Sequence, residues 1–128
     1  VQANKVVSAS EIVAMQHLAR ETPIATHVTA YAVRLLRATH PGNPEASDLV
    51  NRYLRYGGSP RALQAMILSA KINALLDGRF NVAYRDVRGA VLPALRHRMI
   101  LNFDGEAEGI KPDAILKSVI EGTPESES

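Results

Sequence analysis

Residues 60–77 read PRALQAMILSAKINALLD, the longest apolar stretch of the chain, and this stretch decides the fold. At 100° per residue, Leu63, Met66, Ile67, Ala70 and Ala74 share one helical face. Ala65, Leu68, Ile72, Leu75 and Leu76 share the opposite one, with Gln64, Ser69, Lys71 and Asn73 along the edges. A helix that is apolar on two sides is packed between neighbours. The spacing therefore predicts a central helix over 60–77 covered by other helices of the same chain. Ser59 and Pro60 suit its N-cap and first position, and Gly78 suits a left-handed C-cap.

Helical periodicity extends to both sides. Ser8 and Glu11 fit a capping box that opens a helix ending near Arg20, with Ile12, Met15, Leu18 and Ala19 on one face. Thr22-Pro23 breaks it. Thr26 suits the cap of a second helix carrying Val28, Tyr31, Ala32, Leu35 and Leu36. His40-Pro41-Gly42-Asn43-Pro44 is the clearest loop, and a short helix is expected over about 47–56. Downstream, a helix from about Arg85 contains Pro93, which should kink it. Residues 99–103 read as a short extended or continuing segment, 104–109 as an acidic loop, and Pro112 opens a last helix. The expected fold class is all-α, a small helical bundle with no strand long enough to found a sheet.

The chain has 128 residues, of which 46% are hydrophobic and 22% charged, so it has enough material for one cored domain. It has no cysteine, which excludes disulfides and thiolate metal sites. No apolar run approaches membrane-spanning length, and the first residues, Val-Gln-Ala-Asn-Lys, lack the apolar core expected of a signal peptide. The expected location is cytoplasmic. A start without methionine sets the expectation of a piece of a longer protein. The net charge of +2 conceals an asymmetry. Residues 1–103 hold 13 Lys/Arg against 6 Asp/Glu, whereas 104–128 hold 2 against 7. Eleven of the fifteen bases are arginine, the side chain suited to phosphate and carboxylate.

Site chemistry is narrowed by what is missing. There is no G-x-x-x-x-G-K-[ST] loop and no G-x-G-x-x-G. His17, His27, His40 and His97 do not fall at metal-ligand spacing, so no metal site is expected. Catalysis by this chain alone is not expected. The feature that stands out is Gly57-Gly58-Ser59-Pro60-Arg61-Ala62. A cation such as Arg61 in a first turn opposes the helix dipole. Either an anion binds at that end, satisfying dipole, N–H groups and guanidinium together, or Arg61 pairs with a carboxylate such as Glu45 or Asp48.

This motif comes with others in order: the alanine-rich helix ending in Asp77-Gly78-Arg79, then Val82 and Asp86-Val87, then Leu95-Arg96-His97-Arg98. Together with Tyr31 to Thr39 upstream, the string resembles the C-terminal lid of MoxR-family AAA+ ATPases over about residues 5–121. The resemblance implies a helical lid over 8–121, the end of a preceding ATPase core or linker at 1–7, and a disordered tail at 122–128. It implies that Arg61 is the sensor 2 residue of a nucleotide site completed by the missing core. Gly57, Gly58, Ser59 and Pro60 would lie beside ATP, with Mg held by the core. The implied partners are the AAA+ core of the same polypeptide, neighbouring subunits of a ring, and a von Willebrand factor A domain protein, in a chaperone-like role. Gly58 stands where the family often has alanine, and His40 where it often has arginine. Gly78-Arg79 reads as a cap plus a surface charge, and His97 and Arg98 as bases that pair with carboxylates or helix carbonyls. The alternatives are a helical DNA-binding module and a protein-interaction module. The first is weakened because the arginines fall on several helices, with no helix-turn-helix spacing.

Overall fold

The computed structural model describes residues 1–126. Seven α-helices are present among these residues: α1 (Ala9–Glu21), α2 (Thr26–Ala38), α3 (Asp48–Tyr53), α4 (Pro60–Leu76), α5 (Tyr84–Leu95), α6 (Phe103–Ala107) and α7 (Pro112–Gly122). A 3-10 turn, Arg96–Arg98, follows α5. The bundle is all-α in character, and α4 is its central helix.

The core is built on the close contact of α4 with α5, the most extensive between any two elements. Small residues make it possible: Ala62, Ala70 and Ala74 on α4, and Ala90 and Ala94 on α5, are all buried. Met66 of α4 is fully buried in the same core. Leu35 and Tyr31 from α2, and Ile115 and Leu116 from α7, complete the same cluster. α4 ends in a full Schellman turn. Gly78 has φ +73°, its N–H donates to Leu75 O at 3.0 Å, and Arg79 N–H donates to Ala74 O at 2.9 Å.

The chain after that turn is fastened to α5 by Asp86. Its carboxylate takes two hydrogen bonds from Arg79, at 2.7 and 2.9 Å, and one from the Ala83 N–H at 2.7 Å. Arg79 also bonds Asp77 and the Asn81 carbonyl. Arg79 is thus a tie between the end of α4 and the start of α5, not the surface charge read from sequence. Burial works to raise the Asp86 pKa, but the guanidinium and the Ala83 N–H outweigh it and hold the carboxyl below its ordinary range.

Three local expectations are corrected. First, residues 54–56 are extended and pair antiparallel with Ile100–Leu101, forming a two-stranded ribbon, β1 and β2. The helix before it therefore stops at Tyr53. Second, the acidic segment after 102 is helical rather than looped. Asn102 caps α6 by accepting from Gly105 N–H, and its own N–H and side-chain amide bond Tyr53 O and Arg52 O. Third, α4 is not covered on both faces. Its outer residues Leu68, Ile72 and Leu76 remain exposed, and α1 buries only Ala19. The Ser8–Glu11 capping box does form at the start of α1, and Pro93 does lie inside α5.

The tail expected from residue 122 onward is engaged over its described part. Gly122 closes α7, and buried Thr123 donates its hydroxyl to Val119 O at 2.7 Å. Residues 127–128 lie outside the described residues.

Two predictions follow from this packing. Met66→Ala should destabilise the chain by about 2–5 kcal/mol, and Leu68→Ala by less than about 1 kcal/mol, in urea unfolding. Asp86 has a depressed folded-state pKa, so its contribution is fully present above the unfolded carboxylate value, about 3.9. That contribution should disappear as pH falls from about 4 through the depressed value. Asp86→Asn should lower stability at pH 7 and flatten the acid limb of a stability–pH curve.

Candidate functional site: the Gly57–Ala62 turn

The turn runs from β1 into α4 and is locked onto the C-terminal end of α2. Thr39 is buried, and its hydroxyl donates to Leu36 O at 2.6 Å while accepting the Gly58 N–H at 2.9 Å. His40 Nε2 donates to the Gly58 carbonyl at 2.7 Å. Both main-chain groups of Gly58 are therefore held by consecutive residues of one helix end.

The glycines serve this approach and not an unusual backbone angle, since neither has positive φ. A Cβ on Gly57 would lie 2.3 Å from the Thr39 carbonyl oxygen, a backbone atom that cannot move aside. A Cβ on Gly58 would meet the side-chain ends Leu36 Cδ1 at 2.6 Å and Leu95 Cδ2 at 3.0 Å, which can shift. Alanine at 58 is the easier substitution for that reason.

Ser59 occupies the N-cap with extended φ/ψ, but its hydroxyl makes no capping bond. The cap is supplied by its carbonyl, which accepts from Ala62 N–H at 2.9 Å and Leu63 N–H at 3.2 Å. Pro60 is the first helical residue and has no N–H. Arg61 follows, exposed on the first turn, where no acidic side chain is present. No ion pair or hydrogen bond joins it to Glu45, Asp48 or any other side chain among the described residues. A free guanidinium beside a helix N-terminus is the arrangement that attracts an anion.

Several other arginines are paired, whereas Arg20, Arg37 and Arg55, like Arg61, have no ion pair among the described residues. Arg96 forms a two-bond pair with Asp113, at 2.7 and 2.9 Å, which raises its pKa. Arg52 pairs with Glu108 at 3.6 Å, and Arg88 pairs with Glu125. Asp113, Glu108 and Glu125 all belong to the acidic C-terminal part. The charge asymmetry of the sequence is thus partly satisfied within the molecule, and these arginines form no continuous stripe for nucleic acid. Arg98 keeps a buried Nε without a partner among the described residues. No group of three or more His, Asp or Glu side chains converges among those residues.

A second surface accompanies the turn. Ile12, Met15 and Leu18 of α1 and Ile72 and Leu76 of α4 line a groove of about 350 Å³, and all five are exposed. Sequence reading missed it because the same apolar spacing serves a buried face and a waiting one.

Residues 46–119 match the AAA lid domain family. The chain belongs to that family. Across 94% of its length it is 29% identical to Chaperone MoxR1 of Mycobacterium tuberculosis, and it spans 32% of that protein. Over half its length it is 35% identical to Protein MoxR of Paracoccus denitrificans, covering 20% of it. The crystal structure of a candidate ATPase from Cytophaga hutchinsonii superposes on 90% of the chain with a TM-score of 0.84 and 25% identity. The chain corresponds to 35% of that structure. The lid domain is thus similar to part of several MoxR proteins, and it spans between a fifth and about a third of the longer proteins it resembles. No helix among the described residues is long and apolar enough to cross a membrane.

The lock on the turn gives a direct test. Gly57→Ala should destabilise the lid domain by about 1–3 kcal/mol or displace the turn, and Gly58→Ala should cost less. Urea unfolding with amide spectra of residues 57–62 would measure both.

Proposed function

We propose that the chain is the nucleotide-sensing lid of an AAA+ ATPase of the MoxR type, and that Arg61 is its sensor 2 residue. The observation that carries this is Arg61 itself: a cation on the first turn of α4, exposed and without an ionic partner among the described residues, on a turn held from behind by Thr39 and His40. The guanidinium, the Arg61 N–H and the Ser59 hydroxyl form a set of donors suited to phosphate oxygens. Gly57, Gly58, Ser59 and Pro60 shape the turn beside it. One guanidinium and a few donors hold a nucleotide only weakly. ATP and its Mg are therefore assigned to an ATPase core outside this chain, and residues 1–7 to the end of that core or its linker.

Hydrolysis belongs to the complete protein, to which the lid contributes Arg61. Charge developing on the transferred phosphate would be stabilised by a positioned guanidinium. The partners proposed are that core, neighbouring subunits of a ring and a von Willebrand factor A domain protein, in a chaperone-like role in the cytoplasm. The exposed face of α1 and α4 is assigned to contact with the rest of the polypeptide, which also explains why it is apolar. A protein-interaction module without nucleotide sensing is the second reading, and that same face favours it. DNA binding has no comparable support, since Arg52, Arg88 and Arg96 are engaged with carboxylates.

In the complete protein, Arg61→Ala should lower ATP turnover at least about tenfold while leaving thermal unfolding of the lid unchanged. Unchanged turnover would remove Arg61 from the mechanism and favour the interaction module.

A further inference from the structure

Two arginines from different helices converge on residues 124–125. Arg34 of α2 donates from Nη2 to the carbonyls of Pro124 at 3.1 Å and Glu125 at 2.7 Å. Arg88 of α5 pairs through Nη1 with the Glu125 carboxylate. Between them lies Tyr31, whose ring is fully buried and carries the Arg34 guanidinium 5.7 Å from its centroid. Burial pushes the Tyr31 hydroxyl's pKa up, while the Arg88 guanidinium beside it pulls it down. Tyr84 packs edge-on against both Tyr31 and His27. A cavity of about 210 Å³, lined by His27, Ala30, Arg34 and Tyr84, continues from Glu125 and Ser126.

We propose that Arg34 and Arg88 form a binding site for a short acidic peptide segment, occupied here in cis by residues 124–126. The contacts with the tail identify the ligand class. Arg34 donates to two successive main-chain carbonyls, and Arg88 pairs with one carboxylate, so the site accepts a peptide backbone with an acidic side chain. The Tyr31 ring beneath the Arg34 guanidinium helps to hold that side chain in place.

The occupant is exchangeable. The side chains of Arg88 and Glu125 are 35% and 48% exposed, and ion pairs at such exposure hold weakly. Covalent attachment keeps the site filled by raising the effective concentration of the tail. An acidic segment of another protein, presented at sufficient concentration, would displace residues 124–126 and leave them free. The site therefore acts as a latch between α2 and α5 that an acidic partner opens.

The test uses a chain ending at Thr123, which keeps the buried threonine that closes α7, and the synthetic peptide Gly122–Ser128 added in trans. An NMR titration should give saturable shifts on α2 and α5 around Arg34 and Arg88. The intact chain should respond at least about fivefold more weakly, because its own tail competes. Arg88→Ala in the shortened chain should weaken binding at least about fivefold, and raised salt should weaken it as well. In the intact chain, Glu125→Lys should produce the same α2 and α5 shifts as shortening does, without a change in unfolding temperature. The proposal is overturned if the peptide leaves the shortened chain unshifted, if Arg88→Ala binds it equally well, or if intact and shortened chains respond alike.

Discussion

The architecture depends on how closely α4 and α5 approach, and that distance is set by alanine. Ala62, Ala70 and Ala74 of α4 and Ala90 and Ala94 of α5 are buried in one cluster with the larger Met66. Small residues bring the helix backbones together, so many weak dispersion contacts form along both. The approach also fixes everything attached to the two helices. The Schellman turn at Gly78 redirects the chain, and Arg79 closes it by clasping Asp86. With α4 fixed at that end, the direction of its other end, where Arg61 stands, is fixed too.

The Gly57–Ala62 turn carries that fixed direction to Arg61. Its main chain is held by Thr39 and His40, so the guanidinium is presented from a rigid base rather than from a loose loop. His40 replaces an arginine expected from the family resemblance, and its ring spends a hydrogen bond on the Gly58 carbonyl. That makes it a positioning residue for the turn. The arrangement also links α2 to the site: a shift of the α2 end would move Gly58 and with it Arg61. The acidic C-terminal part acts at other points on the same bundle, pairing Arg52, Arg88 and Arg96, while Arg61 has no ion pair among the described residues.

Much of this was legible in the sequence, for identifiable reasons. Long helices with regular apolar spacing, such as α2 and α4, declare themselves because 3.6-residue periodicity accumulates over many residues. The Gly78 cap was legible because few residues tolerate its φ. Short elements were not. Residues 103–107, Phe-Asp-Gly-Glu-Ala, have the composition of a loop, and they become helical because Asn102 caps them and Gly105 approaches Tyr53 O. The ribbon of 54–56 with 100–101 is too short to produce an alternation signal. The outer face of α4 and the inner face of α1 were readable as apolar, but periodicity cannot say what lies against an apolar face. At the site, Arg61 was singled out by its conflict with the helix dipole. The roles of Thr39 and His40 depend on a contact eighteen or nineteen residues away in the chain, which no local pattern encodes. Arg79 and Asp86 did leave a trace, an acid at the third position of a helix preceded by an arginine just beyond a glycine cap.

The central claim is that this lid presents Arg61 to the phosphates of a nucleotide. An NMR titration of the chain with ATP, following the amides of residues 57–62 and the Arg61 side-chain Nε–H, tests it on the molecule itself. The account predicts weak, salt-sensitive binding, with a dissociation constant of about 1 mM or above, centred on that turn and lost in Arg61→Ala. Shifts centred on the arginines of other helices, or unaffected by Arg61→Ala, would contradict it.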